Sequence, residues 1–262
     1  VDLGMPTLLE AAGAEESAAL CAELGLQFVE LNMNLPEYAD PAHMDREKLC
    51  ALREKYGVYF TLHLDERLDG CDFNPLVRNA YQETLRRALE LAQEAEMPIV
   101  NLHLNHGVYF TLPNKKTFLY AERREEYLQH IDEMRRIGEE DADENIALCV
   151  ENTDGFLAQE KKALDLLMKS RRWRLTLDVG HMHSAGYVDD DVYIVHSGKL
   201  RHMHLHDALL MQAGQCLPLG EGNLDWRDSL RTAEMRHCRA VIEVKTLSAL
   251  RDSVKTLREA GK

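Results

Sequence analysis

The sequence predicts an α/β protein: a single closed barrel of eight parallel strands with helices between them, the (β/α)8 or TIM barrel. Three observations carry this expectation. Short apolar runs alternate with longer amphipathic segments from end to end, and each parallel crossover needs a helix. Eight such pairs in 262 residues match the usual size of this barrel. No Ser/Gly-rich linker, repeat or low-complexity tract interrupts the chain, so residues 1–262 read as one domain. An open doubly wound sheet is the alternative, but no G-x-G-x-x-G follows the first strand.

Taken in order, a strand is expected over 2–7 and a helix over 15–25, closed by Gly25 as a left-handed residue. A strand over 27–33 leads to a helix over 45–56, with Asp45 as its N-cap and Gly57 at its end. The strand over 58–64 precedes a helix over 75–96, and Pro75 suits its first turn because its φ is already helical. Strands over 98–104, 145–151, 174–178, 200–205 and 239–244 follow, each 5–7 residues long, as buried strands tend to be. Helices are expected between and after them at 117–141, 157–170, 189–197, 226–237 and 247–260. The run Glu139-Glu140-Asp141-Ala142-Asp143-Glu144 reads as a solvated helix end.

Composition narrows the function classes. Hydrophobic residues make up 45% and charged residues 29%, which excludes disordered, collagen-like and coiled-coil chains. With 31 basic and 45 acidic residues the net charge is −14, a balance that opposes nucleic acid and anionic membranes. No apolar run is long enough to span a bilayer, and the opening residues lack the pattern of a signal peptide. The 6 cysteines form no C-x-x-C, so a reduced, cytoplasmic protein without disulfides or a thiolate zinc site is expected.

The strands carry the chemistry. In 58–64 the even positions are apolar, while Thr61 and His63 share the other face. The same alternation brings His103, Glu151, Asp178, His202, His204, His206 and Glu243 onto one face of their strands. In a barrel that face points to the axis, and the strands' C-terminal mouth is where barrel enzymes build their sites. Ionisable groups gathered there cost several kcal/mol each unless something satisfies them. A divalent cation satisfies several carboxylates and imidazoles at once. An antiparallel sheet with one wet face would show the same alternation, but the long helix after almost every strand argues against it. His43, His130, His196 and His237 read as surface residues of helices and loops.

At these residues the chain resembles the xylose-isomerase-like barrels, a group that includes sugar phosphate isomerase/epimerases and endonuclease IV. The stretches that carry the likeness are Leu177-Asp178-Val179-Gly180-His181, His204-Leu205-His206-Asp207 and Pro218-Leu219-Gly220-Glu221-Gly222-Asn223. Gly4-Met5-Pro6-Thr7 and Glu30-Leu31-Asn32 are typical of the isomerase/epimerase branch. The resemblance implies one divalent ion (Mn²⁺, Mg²⁺, Co²⁺ or Zn²⁺) on Glu151, Asp178, His204 and Glu243. It also implies that Glu151 and Glu243 are the catalytic pair, removing and returning a proton through an enediolate. His181, His63, His103 and His206 are the implied substrate contacts, and the substrate is a small sugar, sugar phosphate or polyol ketone. Self-association into a homo-oligomer is left open.

The endonuclease branch suggests a second ion on His63, His103 and Glu151, with a metal-dependent phosphodiesterase as the alternative activity. Departures accompany both likenesses. Ketose 3-epimerases carry a substrate-binding Glu four residues after the metal Glu and an Arg six after the metal His. Gly155 and Leu210 stand there in this chain. The third zinc of endonuclease IV needs an Asp and a His where Gly214 and Cys216 stand.

Overall fold

In the computed structural model, which describes residues 1–261, eight parallel strands close on themselves. They are β1 (Asp2–Pro6), β2 (Phe28–Asn32), β3 (Tyr59–His63), β4 (Ile99–His103), β7 (Ala147–Glu151), β8 (Trp173–Asp178), β9 (Leu200–Leu205) and β10 (Arg239–Ile242). Each pairs with its neighbours in chain order, and β1 closes the ring by pairing with both β2 and β10. A separate antiparallel hairpin, β5 (Tyr109–Leu112) and β6 (Lys115–Phe118), rises from the loop after β4.

The outer shell consists of α1 (Ala14–Glu23), α2 (Arg46–Tyr56), α3 (Pro75–Glu94), α4 (Leu119–Glu122), α5 (Arg124–Asp141), α6 (Ala158–Leu167), α7 (Val179–Ser184), α8 (Asp190–Val195), α9 (Trp226–Arg236) and α10 (Leu247–Ala260). Their ends follow local chemistry. The Asp45 carboxylate accepts from Lys48 N–H at the start of α2, and Gly57 closes that helix at φ 67°. Asn74 caps α3 ahead of Pro75. Outward strand residues such as Phe60, Leu62, Leu102, Leu148, Val150, Leu175, Met203 and Leu205 are buried under the helices, in one continuous core.

Two expectations are corrected. The segment over 117–141 is not one helix: β6 occupies its start, and the chain breaks again at Arg123 between α4 and α5. Aromatic and β-branched residues flank Pro113-Asn114, which is hairpin chemistry. The segment over 189–197 holds only α8 and a following 3-10 turn, while α7, absent from the expectation, starts directly at Asp178. There the Asp178 carboxylate caps the helix by accepting from His181 N–H at 2.7 Å.

Candidate metal centre at the barrel mouth

Register puts the predicted donors at one level. His103 lies beside Glu151 across β4 and β7, and Asp178 beside His204 across β8 and β9. Glu243 follows β10 directly and donates its N–H to the Leu205 carbonyl. Four donor atoms of Glu151, Asp178, His204 and Glu243 all lie within 4.8 Å of one another. His204 Nδ1 is 2.8 Å from Glu243 Oε2, 3.1 Å from Glu151 Oε1 and 3.9 Å from Asp178 Oδ2.

Beside this set, His63 Nε2 and His103 Nε2 each sit 3.3 Å from Glu151 Oε2, a second group of donors that shares Glu151. His63 Nδ1 is 2.8 Å from the Leu64 carbonyl, which only accepts, so Nδ1 carries the proton and Nε2 is aimed inward.

Several of these atoms lack partners. Asp178 Oδ2, Glu243 Oε2 and His103 Nε2 are buried with no hydrogen bond in the protein. Buried polar atoms are ordinarily satisfied, and an oxygen–imidazole set of this kind is what Mn²⁺, Co²⁺ or Zn²⁺ takes. The residues present therefore fit a divalent ion.

A polar layer supports the donors from below. Asn101 Nδ2 donates to Glu151 Oε2, and the Thr176 hydroxyl donates to Asn101 Oδ1. Glu30, near the middle of β2, is 2.8 Å from His202 Nε2 and 2.9 Å from His204 Nε2. Asp207 pins the loop that follows β9, accepting from the N–H groups of Ala208, Gly220 and Leu224.

The electrostatics follow from this crowding. Burial raises the carboxyl of Glu151, but His204 and His103 outweigh it and hold Glu151 well below the usual range. Glu243 is likewise raised by burial and driven down further by His204 and Lys245. Burial lowers His204, yet Glu151, Glu30 and Glu243 lift it well above its ordinary value. His63 rises to about 9, since contact with Glu151 outweighs its burial. Without an ion, protons hold these carboxylates together; a metal must displace them.

The sequence-based site residues fall into two groups. His63, His103, Glu151, Asp178, His181, His204 and Glu243 converge, and His181 is the most open, with 31% of its side chain exposed and Nδ1 3.1 Å from Asp178 Oδ2. His206 sits behind this set, its donor atom within 4.8 Å of those of Asp178 and His181. Its side chain is fully buried behind Asp178, with Nε2 3.0 Å from Oδ1, so it acts on Asp178 and does not face the opening. A Cβ on Gly180 would sit 1.9 Å from the His206 ring, so only glycine leaves room for that packing.

Of the histidines expected on the surface, His43 and His237 are exposed. His130 is half-buried against the Cys71 carbonyl and His196 is partly covered beside Asp165. Sequence reasoning gave Glu30, Asn101, Asp207 and Lys245 no role. For Glu30 the available signal was a lone carboxylate inside an apolar strand.

The fold and its ring of inward donors define a parallel (β/α)8 barrel with a candidate divalent metal centre at the mouth. The family model for the xylose isomerase-like TIM barrel matches residues 18–260, and the chain belongs to that family. Among solved structures it is similar to a D-tagatose 3-epimerase-like protein, at 22% identity and TM-score 0.78, over 99% of this chain and 96% of that one. It is also similar to the 3-keto-D-glucoside 4-epimerase YcjR from E. coli, at 14% identity and TM-score 0.73, over 99% and 98% of the two chains. An L-ribulose 3-epimerase aligns at 17% identity and TM-score 0.73, over 99% and 93%. At these identities the likeness is one of fold. No curated protein matches the chain by sequence.

Proposed function

We propose that the protein is a metal-dependent isomerase or epimerase of small carbohydrates, acting by enediolate proton transfer. The observation that carries this reading is the convergence of Glu151, Asp178, His204 and Glu243 on one point at the mouth. When bound there, a divalent ion supplies Lewis-acid polarisation of a substrate carbonyl and its neighbouring hydroxyl. Glu151, Asp178, His204 and Glu243 would hold it. Glu243, the more exposed of the two carboxylates, takes the carbon-bound proton and releases it to solvent; Glu151, on the other face, takes up a solvent proton and delivers it to the enediolate carbon. His181, open to the mouth and tied to Asp178, orients a substrate oxygen.

The solved relatives named above include epimerases of ketoses and of a keto-glucoside, which supports a sugar or polyol ketone. Distal recognition differs from the ketose 3-epimerases, however. Gly155 has φ 118°, which side chains rarely adopt, and a Cβ there would lie 2.8 Å from Val188 Cγ2, so a carboxylate-bearing residue at that position would be strained. Leu210, 47% exposed, offers no cation where those enzymes carry Arg.

The test is turnover of ketoses and inosose-like polyol ketones by Mn²⁺- or Co²⁺-loaded protein in deuterated solvent. Deuterium entering the product at the epimerised carbon supports the reading; turnover without it refutes the mechanism.

A second reading is favoured by the three donors of His63, His103 and Glu151. Two ions sharing Glu151 would suit a phosphodiesterase of the endonuclease IV kind. A net charge of −14 weighs against a DNA substrate. Cleavage of abasic DNA without deuterium incorporation in any carbohydrate would install this second reading.

A further inference from the structure

Glu30 is 3% exposed, in the interior of the barrel, beneath the proposed metal centre. One of its oxygens is fully engaged: Oε2 accepts from the Thr61 hydroxyl at 3.2 Å and from His202 Nε2 at 2.8 Å. His202 Nδ1 has no partner, so its proton belongs on Nε2, where it donates to Glu30. These two donors fix the carboxylate plane and leave Oε1 pointing at His204 Nε2, 2.9 Å away but off the line of a straight hydrogen bond. The other nitrogen of His204, Nδ1, faces Glu151 and Glu243.

We propose that Glu30, held by Thr61 and His202, is the positioning residue that sets the proton of His204 on Nε2 and so reserves Nδ1 for the metal. The assignment rests on the metal reading above. The physical basis is general: an imidazole ligand needs one nitrogen bare, and a carboxylate on the other fixes the tautomer, aims the ring and strengthens the donor. A small rotation of His204 on taking up an ion would straighten the contact with Oε1. Glu30, His202 and His204 also bring three donor atoms within 4.8 Å. An ion there would have to displace both partners of Oε2 in a fully covered site, so the carboxylate is assigned to the ring and not to a metal of its own.

The test uses the whole chain loaded with Zn²⁺ and labelled with ¹⁵N-histidine. Two-bond ¹H–¹⁵N correlation should find the His204 proton on Nε2 and the metal on Nδ1. Calorimetric titration of the metal-free protein with Zn²⁺ should show affinity lower by about 10–100-fold in Glu30→Gln, at unchanged stoichiometry. Glu30→Asp, which keeps the charge, should recover part of the loss.

The assignment is overturned if the wild-type spectrum puts the proton on Nδ1, a result that needs no variant to fold. It is also overturned if Glu30→Gln binds Zn²⁺ as tightly as wild type. A loss of one whole equivalent of ion would make Glu30 a ligand instead. If wild-type protein takes up no Zn²⁺, the metal reading itself fails and this assignment goes with it.

Discussion

Glu151 and Glu243 carry the same carboxylate and face the same point, yet the barrel holds them in opposite ways. Glu151 ends β7 in the barrel interior, 1% exposed, with Asn101 donating to one oxygen and His63 and His103 pressed against it. Glu243 lies just past β10 with 17% of its side chain exposed, and its chief partners are His204 and the exposed Lys245, whose Nζ is 2.7 Å from Oε1. On the proposed mechanism, this difference separates their work. A carboxylate fixed from three sides keeps an ion in place. A carboxylate at the rim, with a salt bridge that solvent can exchange, is on that mechanism the one placed to take the first proton from a bound substrate.

The largest effect is therefore expected at Glu151. Glu151→Gln removes the charge shared by both donor groups and should abolish turnover together with tightly bound metal, read by elemental analysis after dialysis. Retention of full metal content would break the comparison at its stronger end.

Glu243→Gln should behave differently. Three of the four donors remain, so metal binding should weaken but persist, while turnover falls by roughly 10²–10⁴-fold. Exchange of the substrate's carbon-bound proton with deuterated solvent should fall with it. Exchange that survives Glu243→Gln but vanishes in Glu151→Gln would exchange the two roles.

How legible these roles were in sequence depends on distance along the chain. The alternation in each strand is local, so it exposed His63, His103, Glu151, Asp178, His204 and Glu243 together, and their convergence followed from the barrel alone. Glu30 shows the opposite case. It stands 172 residues from His202, and nothing in the stretch Phe28-Val29-Glu30-Leu31-Asn32 names that partner. His206 fits the same alternation as His204, yet Gly180 lets its ring sink behind Asp178, a packing detail invisible to periodicity. The hairpin after β4 escapes periodicity because its strands are only four residues long, and only Thr117-Phe118 at its end overlap the helix expected over 117–141.

A medium effect concerns the proton that substitutes for metal. His63 is lifted from 6.5 to about 9, and His206 likewise to about 9, since Asp178 outweighs its burial. A histidine with a raised folded value stabilises fully below its unfolded value and loses that contribution as pH rises through the folded one. Metal-free protein should thus lose stability between pH 6.5 and about 9, at ~2–4 °C in Tm per kcal/mol lost. The Mn²⁺-loaded protein should be stabilised over the metal-free form by a margin that widens with pH, because ions and protons compete for the same imidazoles. Parallel thermal melts with chelator and with Mn²⁺ decide it, and a metal-free Tm that rises over this window refutes the assignment of charged imidazoles to the site.

The smallest effect sharpens the rim side of the comparison. Lys245 is 65% exposed, so its pairing with Glu243 is screened by solvent. It nonetheless helps hold Glu243 down, behind the stronger influence of His204. Lys245→Met should let the Glu243 carboxyl rise, moving the acid limb of the kcat/KM profile to higher pH by about half a unit or less. The shift should shrink further in high salt for the wild-type comparison, since screening already removes what the mutation removes. KM at the pH optimum should hold steady, because a residue that only tunes Glu243 contributes no contact to substrate. A KM raised tenfold or more with an unmoved acid limb would instead make Lys245 a binder of an anionic group on the substrate, and would turn the reading from a neutral sugar toward a sugar phosphate.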